Sequence, residues 1–373
     1  MNLFELNNVK KDADCFSGKF NPYSPITKVY KALVDGKELS SLNIGKSADK
    51  AAKYIMELNS RAAQNQNDII AVSELNTLRR FILETPVKEE MKLLSVFGSY
   101  KPLGFDETVE RVIYKHVGQG ARKQANNGDV LYTKRVKETY QVPTFTVSGG
   151  YEVDYRRAAL GDMTLENEGM EQVKIDIKNN AFREVLLRTY KQYTAAEGVK
   201  YSLDAAGLTK TAVDKILGQV RRFGRPTIHG DYALLSQFVN FIGYVGKIDS
   251  TTITGISEKL LNEIAETGLL GMYNGSILSE MPNPYDVTTL NEAGDDFVTM
   301  LPPGLGIITP AGKDSPIATW TKGGLTSLTG NDPHTGKIIT RFDLECAADL
   351  ARGQEHKLSF IHDQNLDNLD ELV

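Results

Sequence analysis

Residues 165–196 read LENEGMEQVKIDIKNNAFREVLLRTYKQYTAA, the longest stretch of helical pattern in the chain. Apolar side chains recur along it at helical spacings. One row is Val173, Ile177, Ala181 and Val185, and a second is Ile175, Phe182, Leu186 and Tyr190. Two rows predict a helix that is packed on two sides. Its length would be about 45 Å, which is far more than a small globular domain needs. The pattern therefore favours an extended, plate-like subunit.

Strand-forming residues precede this helix. Residues 109–114 begin the strand pattern, and residues 136–147 are rich in Val, Thr, Tyr and Phe. The stretch Asn126-Asn127-Gly128-Asp129 between them is a strong turn signal, because Asn and Gly tolerate positive φ. The sequence predicts a long hairpin over 115–147. Gly149-Gly150 is expected to end its second strand before the next strand begins.

The hairpin region is basic. Residues 111–140 carry only two acidic side chains, Asp129 and Glu138, against seven basic ones: Arg111, Lys115, Arg122, Lys123, Lys134, Arg135 and Lys137. Two interpretations stay open. The hairpin is either a solvated surface element or an arm that lies on an acidic neighbour.

The N-terminal part is weakly patterned up to about residue 40. Pro22 and Pro25 favour an extended arm there. Helical stretches follow at 47–62, 73–84 and 89–96. We expect Thr85-Pro86 to stop the second of them.

Beyond the long helix, short helical and strand patterns alternate. Helices are predicted at 204–218, 231–241 and 257–266. Strands are predicted at 225–229, 298–301, 305–309, 317–320, 337–347 and 358–361. Asn274-Gly275 predicts a hairpin turn. The acidic residues 363–373 are expected to fray.

Composition excludes several classes of protein. The 373 residues carry a formal charge of −5, so no general basic field indicates nucleic-acid binding. The two cysteines, Cys15 and Cys346, are too few for a disulfide framework. No apolar run reaches 18 residues, and we expect neither a membrane span nor a signal peptide.

Catalytic and metal-binding motifs are not visible either. The five histidines have no spacing typical of a metal site. Gly306-Ile-Ile-Thr-Pro-Ala-Gly312-Lys313-Asp314 fails as a phosphate loop: its glycines are wrongly spaced, Asp314 replaces the hydroxyl residue, and Pro310 removes an N–H donor. Cys346 alternates within a strand pattern and is expected to be a packed residue.

The order of these parts resembles the major capsid protein of tailed bacteriophages, whose fold encapsulin nanocompartments and the herpesvirus capsid floor share. Residues 142–155 are similar to the return limb of the extended loop and the strand after it. Gly161-Asp162 and Glu168-Gly169 resemble the entry to the spine helix. Residues 225–232, RPTIHGDY, resemble the start of the axial domain, and residues 341–345, RFDLE, the long peripheral strand.

The resemblance implies an α+β fold with an N-terminal arm, an extended β-hairpin loop, a long spine helix, and peripheral and axial domains. The implied divisions are an arm and helical segment at 1–108, the extended loop at 109–150, a peripheral domain at 151–222 and 315–362 with the spine helix at 165–196, an axial domain at 223–314, and an acidic tail at 363–373.

The same resemblance implies a non-enzymatic structural protein without cofactors. It would self-assemble into hexamers and pentamers of an icosahedral shell that encloses phage double-stranded DNA without binding it specifically. Further partners would be a portal and a scaffold, protease or decoration protein. No association with a membrane is expected. The protein would belong to the virion and assemble in the bacterial cytoplasm. Contacts between subunits would involve Arg122, Lys123, Lys134, Arg135 and Lys137.

Two other functions stay open at this point. An encapsulin-like cage subunit is one, although encapsulins are usually shorter, and a cargo enzyme encoded nearby would favour it. A soluble α+β enzyme is the other, and it would need a pocket with convergent titratable groups.

Overall fold

The structure, a computed structural model, contains both helices and strands and confirms the predicted α+β class. It describes residues 25–35, 37–42, 46–65, 68–117, 123, 132–160, 164–245, 269–281, 283–291, 294, 296–310, 315–332 and 334–367. The predicted turn at 126–129 and helix at 257–266 lie outside these residues. The chain divides into two compact units. The first comprises 1–93, 145–181 and 321–346, and the second comprises 94–144, 182–320 and 347–373.

The first element among the described residues is a helix rather than an extended arm, so the predicted arm is wrong for residues 25–34. Helix α1 spans Pro25–Val34, and Ile26, Val29 and Tyr30 are buried. Proline is well suited to the first turn of a helix, because its missing N–H would have no partner there. Predicted arm residues 1–24 lie outside the described residues.

Pro86 does not end its helix. Helix α2 spans Lys46–Gln64, and α3 spans Ile69–Met91 with Pro86 inside it. A proline in a helix interior costs about 3 kcal/mol. Val87 and Met91 lie beyond the proline and are buried, so the continued helix packs apolar side chains that offset this cost. The predicted short helix at 89–96 is the end of α3 followed by a 3₁₀ helix, Lys92–Val96.

The double glycine does not break its strand either. Strand β4 runs through both residues as Phe145–Asp154 and pairs antiparallel with β14 (Lys337–Leu350). A Cβ atom on Gly149 would lie 3.2 Å from Ile177 Cγ1 and 3.3 Å from Val173 Cγ1. A Cβ atom on Gly150 would lie 2.9 Å from the Thr340 carbonyl oxygen. The glycines therefore allow close approach of the backbone to the long helix and to β14.

The predicted long helix is confirmed. Helix α4 is the short segment Tyr155–Ala159, and α5 spans Thr164–Ala195. The first of the two predicted apolar rows is buried: Val173, Ile177, Ala181 and Val185. In the second row Leu186 is buried but Ile175 is 44% exposed, so the prediction of packing on two sides is wrong at Ile175. The boundary between the two units falls within α5 and also within β13 (Ile317–Asp332) and β14 (Lys337–Leu350).

A buried polar cluster connects three helices of the first unit. Arg79 of α3 and Glu166 of α5 form an ion pair with almost no exposure of either side chain. Tyr30 of α1 donates a hydrogen bond to Glu166 Oε2 at 3.0 Å. Burial raises the pKa of the Tyr30 hydroxyl well above its usual value, so it stays a donor. Such a cluster holds together because every charge has a partner.

The second unit contains a mixed seven-stranded sheet in the order β5-β15-β12-β6-β9-β8-β7. Its strands are β5 Tyr201–Ala205, β6 Pro226–Gly230, β7 Tyr244–Val245, β8 Leu269–Tyr273, β9 Ser276–Glu280, β12 Leu305–Pro310 and β15 Ser359–Asp363. Helices α6 (Lys210–Val220) and α7 (Tyr232–Ser236) bury apolar side chains in the same core as the sheet.

Some of the sequence predictions for this unit are confirmed and others are wrong. The turn at Asn274-Gly275 is confirmed: it joins β8 to β9 with φ values of 47° and 77°. The predicted helix at 204–218 is wrong at its start, because 204–205 end strand β5 and pair with β15. The predicted frayed tail is wrong for its first residues. Asp363 is buried, and Asp367 Oδ2 accepts a 2.6 Å hydrogen bond from the Gly304 amide.

The remaining strands are β1 Ser99–Leu103, β2 Glu110–Val117, β3 Lys134–Gln141, β10 Tyr285–Leu290 and β11 Phe297–Thr299. Among the described helices, none is both long and apolar enough to cross a membrane. The described residues contain no group of three His, Cys, Asp or Glu side chains suited to holding a metal ion. The predicted peripheral and axial domains are defined by their positions in a capsid shell. Their boundaries stay a prediction.

Substituting Gly169 tests the packing of α5. A Cβ atom there would lie 2.6 Å from Tyr151 Cγ. We expect Gly169→Ala to lower the free energy of unfolding by about 1–3 kcal/mol, despite the better helix propensity of alanine. Gly218, in α6, is the matched control: a Cβ atom there meets nothing within 4 Å. Gly218→Ala should stabilise the chain by up to about 1 kcal/mol in urea unfolding. Equal effects of the two changes would contradict this packing.

Acid should destabilise the second unit through His229. Its Nε2 lies 3.2 Å from Thr309 Oγ1, and burial lowers the pKa of the imidazole to about 4. Between pH 6.5 and 4 the unfolded chain binds a proton that the folded chain does not, so stability is lost as pH falls through this range. We expect a loss of about 2 kcal/mol from pH 7.5 to pH 5 relative to His229→Gln, measured by urea unfolding of both proteins. If the free energies of unfolding of the two proteins changed in parallel with pH, this prediction would be refuted.

Candidate assembly interface

Strands β2 and β3 form a two-stranded antiparallel hairpin, as the sequence predicted. Eight residues of each strand pair in register, from Glu110 opposite Gln141 to Val117 opposite Lys134. The paired part is about 25 Å long. The two strands form a sheet of their own, with no third strand among the described residues. Neither outer edge of the hairpin is therefore paired with a strand among these residues.

A polar anchor holds the base of the hairpin. Arg111 on β2 donates hydrogen bonds to the carbonyl oxygens of Asp349 and Pro316, and its Nη1 lies 3.0 Å from Asp349 Oδ2. Tyr140, opposite Arg111 on β3, donates a 2.7 Å hydrogen bond to the same carboxylate oxygen. Arg352 lies over the Tyr140 ring at 4.2 Å. Both strands are thus tied to one side chain.

Burial has shifted the pKa values of two side chains in this anchor. It raises the pKa of Tyr140 to about 12, and the hydrogen bond to Asp349 adds to the shift. The hydroxyl stays a donor throughout the neutral range. Burial also raises the pKa of Asp349, although Tyr140 and Arg111 oppose this effect. Tyr140 and Arg111 therefore both favour the charged form of the carboxylate.

An apolar cluster supports the anchor. Tyr140 packs against a cluster of buried side chains from the same unit: Leu103, Val109, Val142, Ala318, Trp320 and Ala347. Ile113, two residues beyond Arg111, is also buried. Four other apolar side chains of β2 and β3 are exposed. They are Val112, Tyr114, Val117 and Val136, with exposed fractions between 39% and 56%.

One face of the hairpin is cationic. Residues opposite each other share a face, which places Val112, Tyr114, Arg135 and Lys137 together. The Arg135 guanidinium lies over the Tyr114 ring at 4.0 Å. The only acidic residue on this face of the described strands is Glu110, at the base. We call Val112, Tyr114, Arg135 and Lys137 the cationic face.

On the opposite face one of the basic side chains is paired. Lys115 and Glu138 form a salt bridge there with an N–O distance of 2.6 Å. Lys134, Val117 and Val136 lie on the same face. Of the five predicted contact residues, Lys134, Arg135 and Lys137 are exposed on β3, Lys123 is exposed, and Arg122 lies outside the described residues.

The sequence prediction missed the anchor. Arg111 was counted as one of seven basic residues, but its partner Asp349 is 238 residues away. Nothing in the local sequence pairs them. The prediction also treated β3 and β4 as one limb of the hairpin. The structure separates them at 142–144, and Val147 is buried in β4 of the first unit, so it does not belong to the exposed hairpin.

A protein-family model described as "SPbeta prophage-derived putative capsid protein YonB" matches residues 21–361, which include the hairpin, its anchor and α5. This chain belongs to the YonB capsid protein family. The family confirms the resemblance to a phage major capsid protein that the sequence suggested. No curated protein matches the chain.

Solved structures with distant similarity include viral and encapsulin particles. A chain of Mycobacterium phage Patience has 10% identity and a TM-score of 0.45, covering 78% of this chain and 89% of its own. The virus-like particle from Pyrococcus furiosus has 9% identity and a TM-score of 0.42, covering 76% and 97%. The holo-SrpI encapsulin complex from Synechococcus elongatus has 12% identity and a TM-score of 0.41, covering 74% and 88%. The assignment rests on the family match.

Membership of the YonB family makes this a structural protein of a phage capsid. A capsid is built from many copies of its subunits, so the chain associates with itself and belongs to the virion. The α+β elements, the long helix and the hairpin agree with the fold expected of such a subunit.

Removing the Arg111 side chain should release the hairpin from its base. Arg111→Met leaves the buried Asp349 carboxylate without its cation, and we expect a loss of about 3 kcal/mol in the free energy of unfolding. Amide hydrogen exchange over 110–117 should rise with it. Tyr140→Phe, which removes one hydrogen bond and keeps the ring, should cost only about 1 kcal/mol. Unchanged exchange in the Arg111 variant would show that the anchor does not hold the hairpin.

Proposed function

We propose that this protein is the major capsid subunit that forms hexamers and pentamers and closes an icosahedral shell around phage double-stranded DNA. The β2–β3 hairpin would lie on an adjacent subunit. Arg122, Lys123, Lys134, Arg135 and Lys137 would meet acidic groups there. In this proposal the protein has no catalytic role and needs no cofactor.

The observation that supports this proposal is the contrast between the two ends of the hairpin. Its base is anchored by Arg111 and Tyr140 on Asp349, whereas its outer part exposes four apolar side chains. An isolated two-stranded hairpin is at best marginally stable in water. A rigidly held base and an uncovered outer part are what a segment needs if a neighbouring subunit completes its packing.

The charges favour a copy of the same chain as that neighbour. Residues 111–140 are strongly basic, while the whole chain has a net charge of −5, so the remainder is acidic. Lys134, Arg135 and Lys137 have no ion-pair partner within the described part of the chain. An exposed pair contributes only about 0–1 kcal/mol. In a closed shell each contact is repeated by symmetry, so their number compensates for their weakness.

The net negative charge also suits a shell that encloses DNA without binding it tightly. A portal, and a scaffold, protease or decoration protein, would act on the assembling shell in the bacterial cytoplasm. These partners follow from the proposed role in a phage capsid.

Electron microscopy of the purified chain tests the proposal directly. Negative staining beside size-exclusion chromatography should show closed shells, or rings of five and six subunits. Shells tens of nanometres across that package DNA would support a virion subunit. Small uniform cages that hold a cargo protein would instead identify an encapsulin-like compartment. A stable dimer whose melting temperature rises with a small ligand would overturn the proposal.

A charge on the exposed hairpin should block assembly without unfolding the subunit. Val136 is 39% exposed in β3, on the face opposite the cationic face, and Val136→Asp places a carboxylate on the outer part of the hairpin, which adjacent subunits would cover. We expect the concentration needed for assembly to rise at least about tenfold, because burying an unpaired charge is costly. Stability should change by only about 0.5 kcal/mol, as for other surface substitutions.

Val239→Asp is the matched control. Val239 is 49% exposed in the same unit but lies outside the hairpin. The two variants should unfold at similar temperatures, and only Val136→Asp should fail to assemble. Aggregation of Val136→Asp as an unfolded monomer would show that the hairpin belongs to the subunit core.

A further inference from the structure

A second two-stranded hairpin in the same unit is also uncovered. Strands β10 and β11 pair only with each other in the described residues, with Tyr285 opposite Thr299 and Asp286 opposite Val298. Five large apolar side chains are exposed on them: Tyr285, Val287, Leu290, Phe297 and Val298. The ring centroids of Tyr285 and Phe297 lie 6.5 Å apart, and the two side chains are 54% and 41% exposed.

This hairpin has the opposite charge to β2–β3. Residues 283–300 contain no Lys or Arg and four acidic residues, of which the structure describes Asp286 and Asp296. Asp296 is exposed and accepts a 2.8 Å hydrogen bond from the Phe297 amide. Asp286 accepts one of 3.0 Å from Thr289. The bond to Asp296 is local, and the Asp296 carboxylate can accept further bonds.

The two hairpins are complementary in three respects. Each is a separate two-stranded sheet, each exposes aromatic and aliphatic side chains, and their charges are of opposite sign. On the cationic face, Tyr114 and Val112 lie beside Arg135 and Lys137, so apolar and charged groups are interspersed as they are on β10–β11. Apolar contact would supply the affinity, and the charges would determine which surface binds and in which orientation.

We infer that the β10–β11 hairpin of one copy docks on the cationic face of the β2–β3 hairpin of a neighbouring copy. The inference rests on the proposed function, since it names the acidic surface that the basic hairpin meets. Such a contact joins two different patches of identical chains. Head-to-tail contacts of this kind generate rings when the rotation closes, which is the geometry of hexamers and pentamers.

Charge reversal on both sides tests the contact. Arg135→Glu with Lys137→Glu, or Asp286→Lys with Asp296→Lys, should each raise the concentration needed for assembly at least about tenfold. A chain that carries all four changes should recover most of the assembly. Asp296→Asn keeps the bond from the Phe297 amide and removes only the charge, so it should have a smaller effect than reversal. Thermal unfolding should show that every variant folds.

Cross-linking locates the contact itself. Copies labelled with ¹⁵N are assembled with unlabelled copies and treated with a carbodiimide, which joins a lysine amine to a carboxylate. Mass spectrometry should find peptides that join Lys137 to Asp286 or Asp296, with one half from each kind of copy. Peptides from a single copy only would overturn the inference.

The outcomes separate the inference from the proposed function. If the β2–β3 reversal blocks assembly while the β10–β11 reversal does not, the hairpin binds a different surface, and only the inference is wrong. If neither reversal affects the assembly of shells, the inference is also wrong. If the wild-type chain forms no shells under any condition, the proposed function itself fails.

Discussion

A two-stranded β-sheet cannot bury its own faces, and the β2–β3 hairpin is subject to this constraint. Its own residues cannot cover both faces, so the strands need support from elsewhere. At the base the chain supplies it: Arg111 and Tyr140 are held by the buried carboxylate of Asp349, above an apolar cluster. Further out it does not, and Tyr114 and Val136 are exposed. A capsid subunit benefits from this division, because an arm must keep its direction before a neighbour arrives to cover it.

Polar groups play a different part in each unit. In the first unit, Arg79 and Glu166 form a buried pair with Tyr30, which connects three helices through one carboxylate. In the second unit, the hairpin anchor uses an arginine, a tyrosine and a carboxylate at a partly buried place. Buried charges of this kind add little net stability, but they penalise any arrangement that separates them. They favour one arrangement of the elements over others that would bury similar apolar area.

Much of the fold could be predicted from the sequence. The long helix followed from apolar spacing, the Asn274-Gly275 turn from residue types that tolerate positive φ, and the strand at 337–347 from strict alternation. Local signals failed where tertiary packing opposed them. Pro86 lies inside a helix because Val87 and Met91 beyond it are buried. Gly149-Gly150 lies inside a strand because the long helix at Gly149 and strand β14 at Gly150 come too close for side chains.

Short-range spacing and composition were enough to predict that helices and strands both occur, that the main helix is long, and that the hairpin region is basic. The tertiary structure alone decided where the hairpin is held and which side chains stay exposed. The Arg111–Asp349 pair joins residues 238 positions apart, and no local pattern records such a contact. The exposure of Tyr114 beside the burial of Ile113 likewise depends on what packs against each face of the strand, which is a property of the folded chain.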